Sequence, residues 1–275
     1  MGCGVTQIVE AKGFKIPIVG LGTWALRDVA RMVEQAIRIG YRHIDTAQMY
    51  GNEAEVGQGV RASGVKRGEI MVTTKVQPTL LAPHDLERSV KESLAHLRLD
   101  VIDLLLIHWP NPRVPLAETL GAMAKMKREG YVRAIGVSNF TVALLDEANK
   151  VSPEPVVCNQ IECHPFLNQD KVIAACRKHK MAVVAYSPVA RGVAHGNEVL
   201  ARIGKEHGKT DAQVSLRYLV QQGIVVIPRT NRLERLAENF ELFDFELSQS
   251  EMQEIYRLAH RSGRIVDWTW SPKWD

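Results

Sequence analysis

Short, continuously apolar runs recur along the chain: IVGLG at 18–22, HID at 43–45, IMVTT at 70–74, VIDLLLI at 101–107, VRAIGVS at 132–138, PVVCNQI at 155–161, MAVVAYS at 181–187 and IVVIP at 224–228. Runs of this length without apolar–polar alternation predict strands buried on both faces. Between them the period becomes helical. In 84–98, Leu86, Val90, Leu94 and Leu97 mark one apolar face, while Glu87 and Lys91 stand at i,i+4 on another. PLAETLGAMAKMKREG opens on Pro and closes on Gly, a start and a stop. Strand then helix, eight times over and without a linker, predicts one α/β domain across residues 1–275, a (β/α)8 TIM barrel. A doubly wound open sheet is the alternative on pattern alone. It would carry GxGxxG after its first strand, and GLGTWA lacks the third glycine.

Both ends add something to the barrel. QIVEAKGFKIPIVG predicts a hairpin turning at Lys12-Gly13. FDFELSQSEMQEIYRLAH predicts an extra helix, with Ser248 as N-cap and Glu251 three residues on as a capping box. The last eight residues hold Trp268, Trp270 and Trp274, so the tail is expected to fold back onto an apolar surface. MGCGVT fits the short pattern for N-myristoylation, which recurs by chance, and is read as a disordered start.

Composition narrows the partners. Lys plus Arg number 35 against 31 for Asp plus Glu, and no long basic run exists, so nucleic acid is not expected. The longest apolar stretch, VIDLLLIHW, is too short and too charged for a bilayer, and no secretory signal opens the chain. Four cysteines without CxxC or Cys/His metal spacing read as reduced thiols of a cytoplasmic protein, with no metal expected. No heptad or exposed apolar stripe demands a dimer, so a monomer is expected.

Chemistry in such a barrel gathers at the carboxyl ends of the strands. Those positions hold Asp45, Lys75, His108 and Trp109, Ser138 and Asn139, Gln160, Tyr186 and Ser187, then Arg229 and Thr230; Tyr50 lies in the loop after Asp45. Singly, a rim Lys, a core His or an Asp heading a helix is ordinary. Together, Asp, Tyr, Lys and His at neighbouring strand ends suit proton delivery to a carbonyl oxygen. An ammonium beside a tyrosine is expected to pull its pKa down from about 10. Asp45 would balance Lys75, and His108 would hydrogen-bond the substrate oxygen. The set has no nucleophile and no metal shell, so the carbon would receive a hydride from a cofactor.

GYRHIDTAQMYGNEAEVG, TTKV, LLLIHWP, IGVSNF, CNQIECHP, AYSPVARG and VIPRT…RLAENFELFDFEL, in that order from about residue 14 to 247, resemble the aldo-keto reductase superfamily. The resemblance is strongest to its short bacterial members that reduce 2,5-diketo-D-gluconate and methylglyoxal. It implies a barrel closed beneath by the N-terminal hairpin, NADPH/NADP+ as cofactor, and small carbonyl compounds as substrates. Tyr50 would be the general acid, supported by Lys75 and Asp45, with His108 orienting the carbonyl. Ser138, Asn139 and Gln160 match residues that hold the nicotinamide carboxamide, Tyr186 the ring that stacks on it, and Ser187 a pyrophosphate contact. Gly22 and Thr23 match further cofactor contacts.

The family usually has Lys then Ser after Ile-Pro; here Arg229 and Thr230 stand instead, keeping a charge able to grip a 2′-phosphate. Asn231 and Arg235 match further contacts on the phosphate side, and Glu238 and Asn239 match contacts to adenine. Trp24 and Trp109 would wall a shallow substrate pocket behind the short loop NPRVPLAE. VARGVAHGN, at 189–197, suggests a loop folding over the pyrophosphate. Three rival readings exist. A Schiff-base lyase would not need Tyr and Asp converging on its Lys, and a metal hydrolase using Asp45, His108 and His164 lacks paired carboxylates. A non-catalytic NADP(H)-binding sensor or structural protein of the same fold is the alternative that biochemistry must exclude.

Overall fold

The chain enters through an antiparallel hairpin, β1 (Ile8–Ala11) and β2 (Phe14–Pro17), paired from Ile8–Pro17 to Ala11–Phe14. Its turn is at Lys12-Gly13, where both residues have positive φ (51° and 81°). That is the two-residue turn whose twist matches the flanking strands. The structure, a computed structural model, describes residues 7–260 and 262–275; MGCGVT lies outside the described residues.

Eight parallel strands follow: β3 (Leu21–Gly22), β4 (His43–Asp45), β5 (Met71–Val76), β6 (Ile102–Ile107), β7 (Val132–Ser138), β8 (Val156–Glu162), β9 (Ala182–Tyr186) and β10 (Val225–Val226). They lie side by side in chain order. The ring closes between first and last: Val19 bridges Val226, Gly20 N–H donates to Val226 O at 2.8 Å, and Gly22 N–H donates to Pro228 O at 3.0 Å. Gly22 has a packing reason to be glycine here, since a Cβ would stand 2.8 Å from Ile227 O.

The intervening helices are α1 (Val29–Ile39), α2 (Glu53–Ala62), α3 (Pro83–Leu97), α4 (Leu116–Arg128), α5 (Val142–Val151) and α6 (Asp170–Lys178). The stretch after β9 is broken at Gly208 into α7 (Glu198–His207) and α8 (Asp211–Val220); α9 (Glu234–Phe240) follows β10, and α10 (Gln249–Tyr256) is the extra helix. Its capping box is formed, with the Ser248 hydroxyl accepting from Glu251 N–H and the Glu251 carboxylate accepting from Ser248 N–H.

Strand residues alternate between two cores. Leu105, Ile107, Ile135, Val137 and Val183 face outward into the layer shared with the helices. Met71, Leu104, Leu106, Ala134 and Val184 face inward, where Ala11 and Ile16 of the hairpin plug the barrel floor. This two-sided burial explains why the strands read as unbroken apolar runs. The inward column of β5 runs Met71, Thr73, Lys75, so the barrel interior is apolar at the floor and polar at the carboxyl end.

Candidate active site

Lys75 is fully buried at the end of β5. An ammonium has three protons and no acceptor capacity. All three are placed: Nζ donates to Asp45 Oδ1 at 2.5 Å, to Thr46 O at 2.8 Å and to Tyr50 Oη at 3.4 Å. Burial by itself lowers the Lys75 pKa, but Asp45 and then Tyr50 outweigh it, so the value is raised and the charge is kept. Tyr50 can only accept from Lys75, which leaves its own proton free for the cleft.

Tyr50 ends a short 3-10 turn (Gln48–Tyr50) directly after β4. Asn52 stitches the surrounding backbone, accepting from the Thr46 hydroxyl at 2.8 Å and donating to Thr23 O at 2.9 Å; sequence reasoning missed this residue. Thr23 in turn donates its hydroxyl to Asp45 O. The tyrosine pKa departs from the sequence expectation. Burial raises it, and the opposing Lys75 charge does not compensate. The hydroxyl is therefore protonated at neutral pH, the state a proton donor needs.

His108 packs edge-on to Tyr50, ring centres 5.6 Å apart. Burial, reinforced by the Lys75 charge, holds its pKa well below 6.5, so the ring is neutral at pH 7. Its Nδ1 is buried without a partner among the described residues. A neutral ring can donate one hydrogen bond into the cleft.

The other strand ends interlock. Gln160 Nε2 donates to Asp45 Oδ2 at 2.7 Å, so both carboxylate oxygens of Asp45 are engaged. Ser138 Oγ donates to Gln160 O, Asn139 Nδ2 donates to His108 O and to Ser138 Oγ, and Tyr186 Oη donates to Asn139 Oδ1 at 2.8 Å. Asn139 (φ 62°) and Ser187 (φ 51°) adopt the left-handed backbone that turns the chain at the cleft.

These residues form one end of a cleft of about 760 Å³. The other end is basic: Arg229, Thr230, Asn231, Arg232 and Arg235 line it, with Arg191 reaching in from the loop after β9. Arg191 and Arg229 both lie over the Trp24 ring, 4.6 and 5.5 Å from its centre. Asn231 Oδ1 accepts from Arg27 N–H at 2.8 Å, and Thr230 Oγ1 accepts from Arg232 N–H. His195 joins the loop to its surroundings, 3.0 Å from Asp211 and 3.4 Å from Arg235. Arg191, His195 and Arg232 were not singled out from sequence; the glycine-rich VARGVAHGN was the available signal for the first two. Glu238 and Asn239 lie outside the cleft lining, and the Glu238 carboxylate accepts the Thr210 hydroxyl at 2.8 Å.

The mouth is aromatic. Trp109 is buried, with Trp270 5.0 Å and Trp274 6.1 Å away edge-on, and Trp268 stacks on Trp270. The tail thus folds back as expected, while Trp268 and Trp270 keep a half-exposed face on the cleft. Among the described residues no group of three His, Cys, Asp or Glu is arranged to hold a metal, and no helix is long and apolar enough to cross a membrane.

Comparison with known proteins gives this geometry a context. The sequence pattern of the aldo/keto reductase family matches residues 18–260. Methylglyoxal reductase DkgB of Escherichia coli O157:H7 is 40% identical over 265 residues, covering 94% of this chain and 99% of the relative. A solved structure provisionally described as a 2,5-diketo-D-gluconic acid reductase B superposes with TM-score 0.97 at 42% identity, covering 99% of both chains. The Bombyx mori aldo-keto reductase in complex with NADP superposes with TM-score 0.87 at 35% identity, covering 93% of this chain and 94% of the other. A family match over most of the barrel, and reductase relatives at this identity, mean that the chain belongs to the aldo/keto reductase family and is an oxidoreductase of carbonyl compounds.

Proposed function

We propose that this protein, one barrel domain over 1–275, is an NADPH-dependent reductase of small aldehydes and ketones in which Tyr50 is the general acid. The observation that carries this reading is the commitment of all three Lys75 protons, one of them to Tyr50. Tyr50 is thereby fixed as acceptor toward Lys75 and donor toward the cleft. As negative charge grows on the carbonyl oxygen, the nearby ammonium stabilises the forming phenolate, and proton transfer of this kind is worth about 10²–10⁴-fold in rate. His108, neutral, hydrogen-bonds the same oxygen and selects which face of the carbonyl is presented.

The donor set fits a dinucleotide. Ser138, Asn139 and Gln160 put a hydroxyl and two amides where a carboxamide would be held, and Tyr186 offers a ring face beside them. Arg229 and Arg235 supply bidentate donors for a 2′-phosphate, with Gly22, Thr23, Ser187, Thr230 and Asn231 completing the path between. Glu238 and Asn239 would meet the adenine beyond the lining. When bound, the reduced nicotinamide supplies the hydride to the carbonyl carbon. That the Bombyx mori relative binds NADP supports the choice of cofactor. Trp24 and Trp109 wall the substrate end, suiting small dicarbonyls, keto-sugar acids and aromatic aldehydes. We further read the protein as cytoplasmic and monomeric; Cys158, Cys163 and Cys176 are buried free thiols.

Fluorescence titration with NADPH and NADH, followed by loss of reduced-nicotinamide absorbance with methylglyoxal, 2,5-diketo-D-gluconate and 4-nitrobenzaldehyde, tests the reading. Tight NADPH binding with turnover is expected. Binding without turnover on a wider carbonyl panel would favour the sensor alternative and sink the reductase.

A further inference from the structure

Two residues beyond Gln160 on the same face of β8, Glu162 is a carboxylate with no solvent exposure. None of its bonds goes to the cleft chemistry. Oε1 accepts the Ile265 backbone N–H at 2.6 Å and faces His164 Nε2 at 3.0 Å, while Oε2 accepts the Val266 backbone N–H at 2.8 Å. Gln169 donates its amide to the Glu162 carbonyl, fixing the strand end from below. His164 is itself wholly buried, and its Nδ1 has no partner among the described residues. The tail that supplies the two amides carries Val266, Trp268 and Trp270 onto the cleft wall.

We propose that Glu162 is a positioning residue that pins the C-terminal strap, residues 263–275, and so builds the aromatic wall that holds flat substrates. The physical reason is the cost of stranding a buried acceptor. Fully enclosed, the carboxylate oxygens are satisfied only while the strap amides point at them. Lifting the strap leaves the carboxylate in the barrel end with His164 as its one remaining side-chain partner among the described residues. Docking of the strap and satisfaction of Glu162 are thus one event.

Elsewhere the strap is held more lightly. Arg264 lies over the Trp274 ring at 3.8 Å, Trp274 Nε1 donates to Asp267, and Asp275 accepts the Val142 N–H at the start of α5. Gly263 marks where the strap crosses the loop after β8: a Cβ there would collide with Phe166 O. β8 therefore serves both halves of the site, with Gln160 holding Asp45 and Glu162 holding the wall that faces it.

The consequence rests on the reductase reading but is separable from it. Glu162→Gln keeps the shape but can accept through only one oxygen, so one strap N–H meets an amide NH2. In the NADPH-loaded enzyme, the KM for 4-nitrobenzaldehyde should rise about tenfold or more, the scale of one lost pocket contact. The KM for methylglyoxal, too small to span the wall, should change less than about threefold; kcat and NADPH affinity should stay as they are. In a Trp270→Ala background, E162Q should add nothing further to the aromatic KM, because the wall it positions is gone. Tryptic cleavage after Arg264 should accelerate in E162Q whatever the activity.

An unchanged aromatic KM, a fall in kcat at constant KM, or an undiminished E162Q effect on top of Trp270→Ala would each overturn the proposal. Should E162Q fold poorly, Ile265→Pro deletes one strap donor without touching the barrel and carries the same test. If the wild type turns over neither aldehyde nor any member of the wider carbonyl panel, the reductase reading fails, while the cleavage comparison still judges the anchor.

Discussion

Gln160 Nε2 donates to Asp45 Oδ2 across 2.7 Å, so a carboxylate on the second barrel strand is held by an amide on the sixth. The other oxygen of Asp45 belongs to Lys75. With both oxygens committed inside the closed barrel, the carboxylate cannot swing away, and the ammonium stays aimed at Tyr50. Rigidity of this kind is what a positioned proton donor requires.

Removing one member of the buried pair exposes that interdependence. Lys75→Met leaves the Asp45 charge buried with Gln160 alone and should lower stability by about 3–5 kcal/mol. Asp45→Asn combined with Lys75→Met should recover most of that loss. Urea unfolding of the two variants and the wild type decides it; strictly additive losses would mean that the pair is not coupled.

Tyr50→Phe removes the hydroxyl proton that the Lys75 contact leaves free for the cleft. Turnover should fall by about 10²–10⁴-fold, with NADPH affinity, read by fluorescence titration, nearly unchanged. A variant retaining wild-type turnover would take the acid role away from Tyr50.

Arg229→Ala deletes one of the two guanidinium groups over Trp24. If it grips the 2′-phosphate, the KM for NADPH should rise about 10–100-fold, the worth of a charge-assisted hydrogen bond, while NADH is little affected. Steady-state kinetics with both cofactors measures this, and equal effects would assign Arg229 to packing. The NADPH effect should also weaken in high salt.

His43 gives the fold an acid limit. In the unfolded chain it titrates near 6.5; burial in the barrel interior lowers it to about 4. Between those values the unfolded chain binds the additional proton. Stability from this residue is therefore complete above pH 6.5 and lost as pH falls toward 4, by about 3 kcal/mol in all. His108 is lowered in the same direction and adds to the effect. His43→Gln should flatten the stability–pH profile across this window, as followed by urea unfolding at stepped pH; an unaltered slope would remove His43 as a contributor.

The elements and the kind of chemistry were legible from residue order alone. Unbroken apolar runs follow from strands covered on both faces, so all eight were legible within one or two residues, apart from the short first and last strands. The hairpin turn at Lys12-Gly13 and the Ser248–Glu251 cap were readable because both are local, set by φ preference and by hydrogen bonds three residues apart. Asp45, Tyr50, Lys75 and His108 could be brought forward as candidates because each lies at or just beyond the carboxyl end of a strand, a position that chain order alone specifies.

Contacts between distant segments settle the rest. The Tyr50 pKa depends on a balance of burial against one ammonium, and burial is a property of the closed barrel, not of the loop that holds the tyrosine. Arg191 over Trp24 joins residues far apart in the chain, and no periodicity marks either as the other's partner. Glu162 in CNQIECHP looks like an ordinary strand-end acid until the strap amides, over a hundred residues later, are seen to converge on it. Local sequence encodes backbone preference and apolar pattern over a few residues; the satisfaction of a buried charge is settled only when closure of the barrel brings its donors within reach.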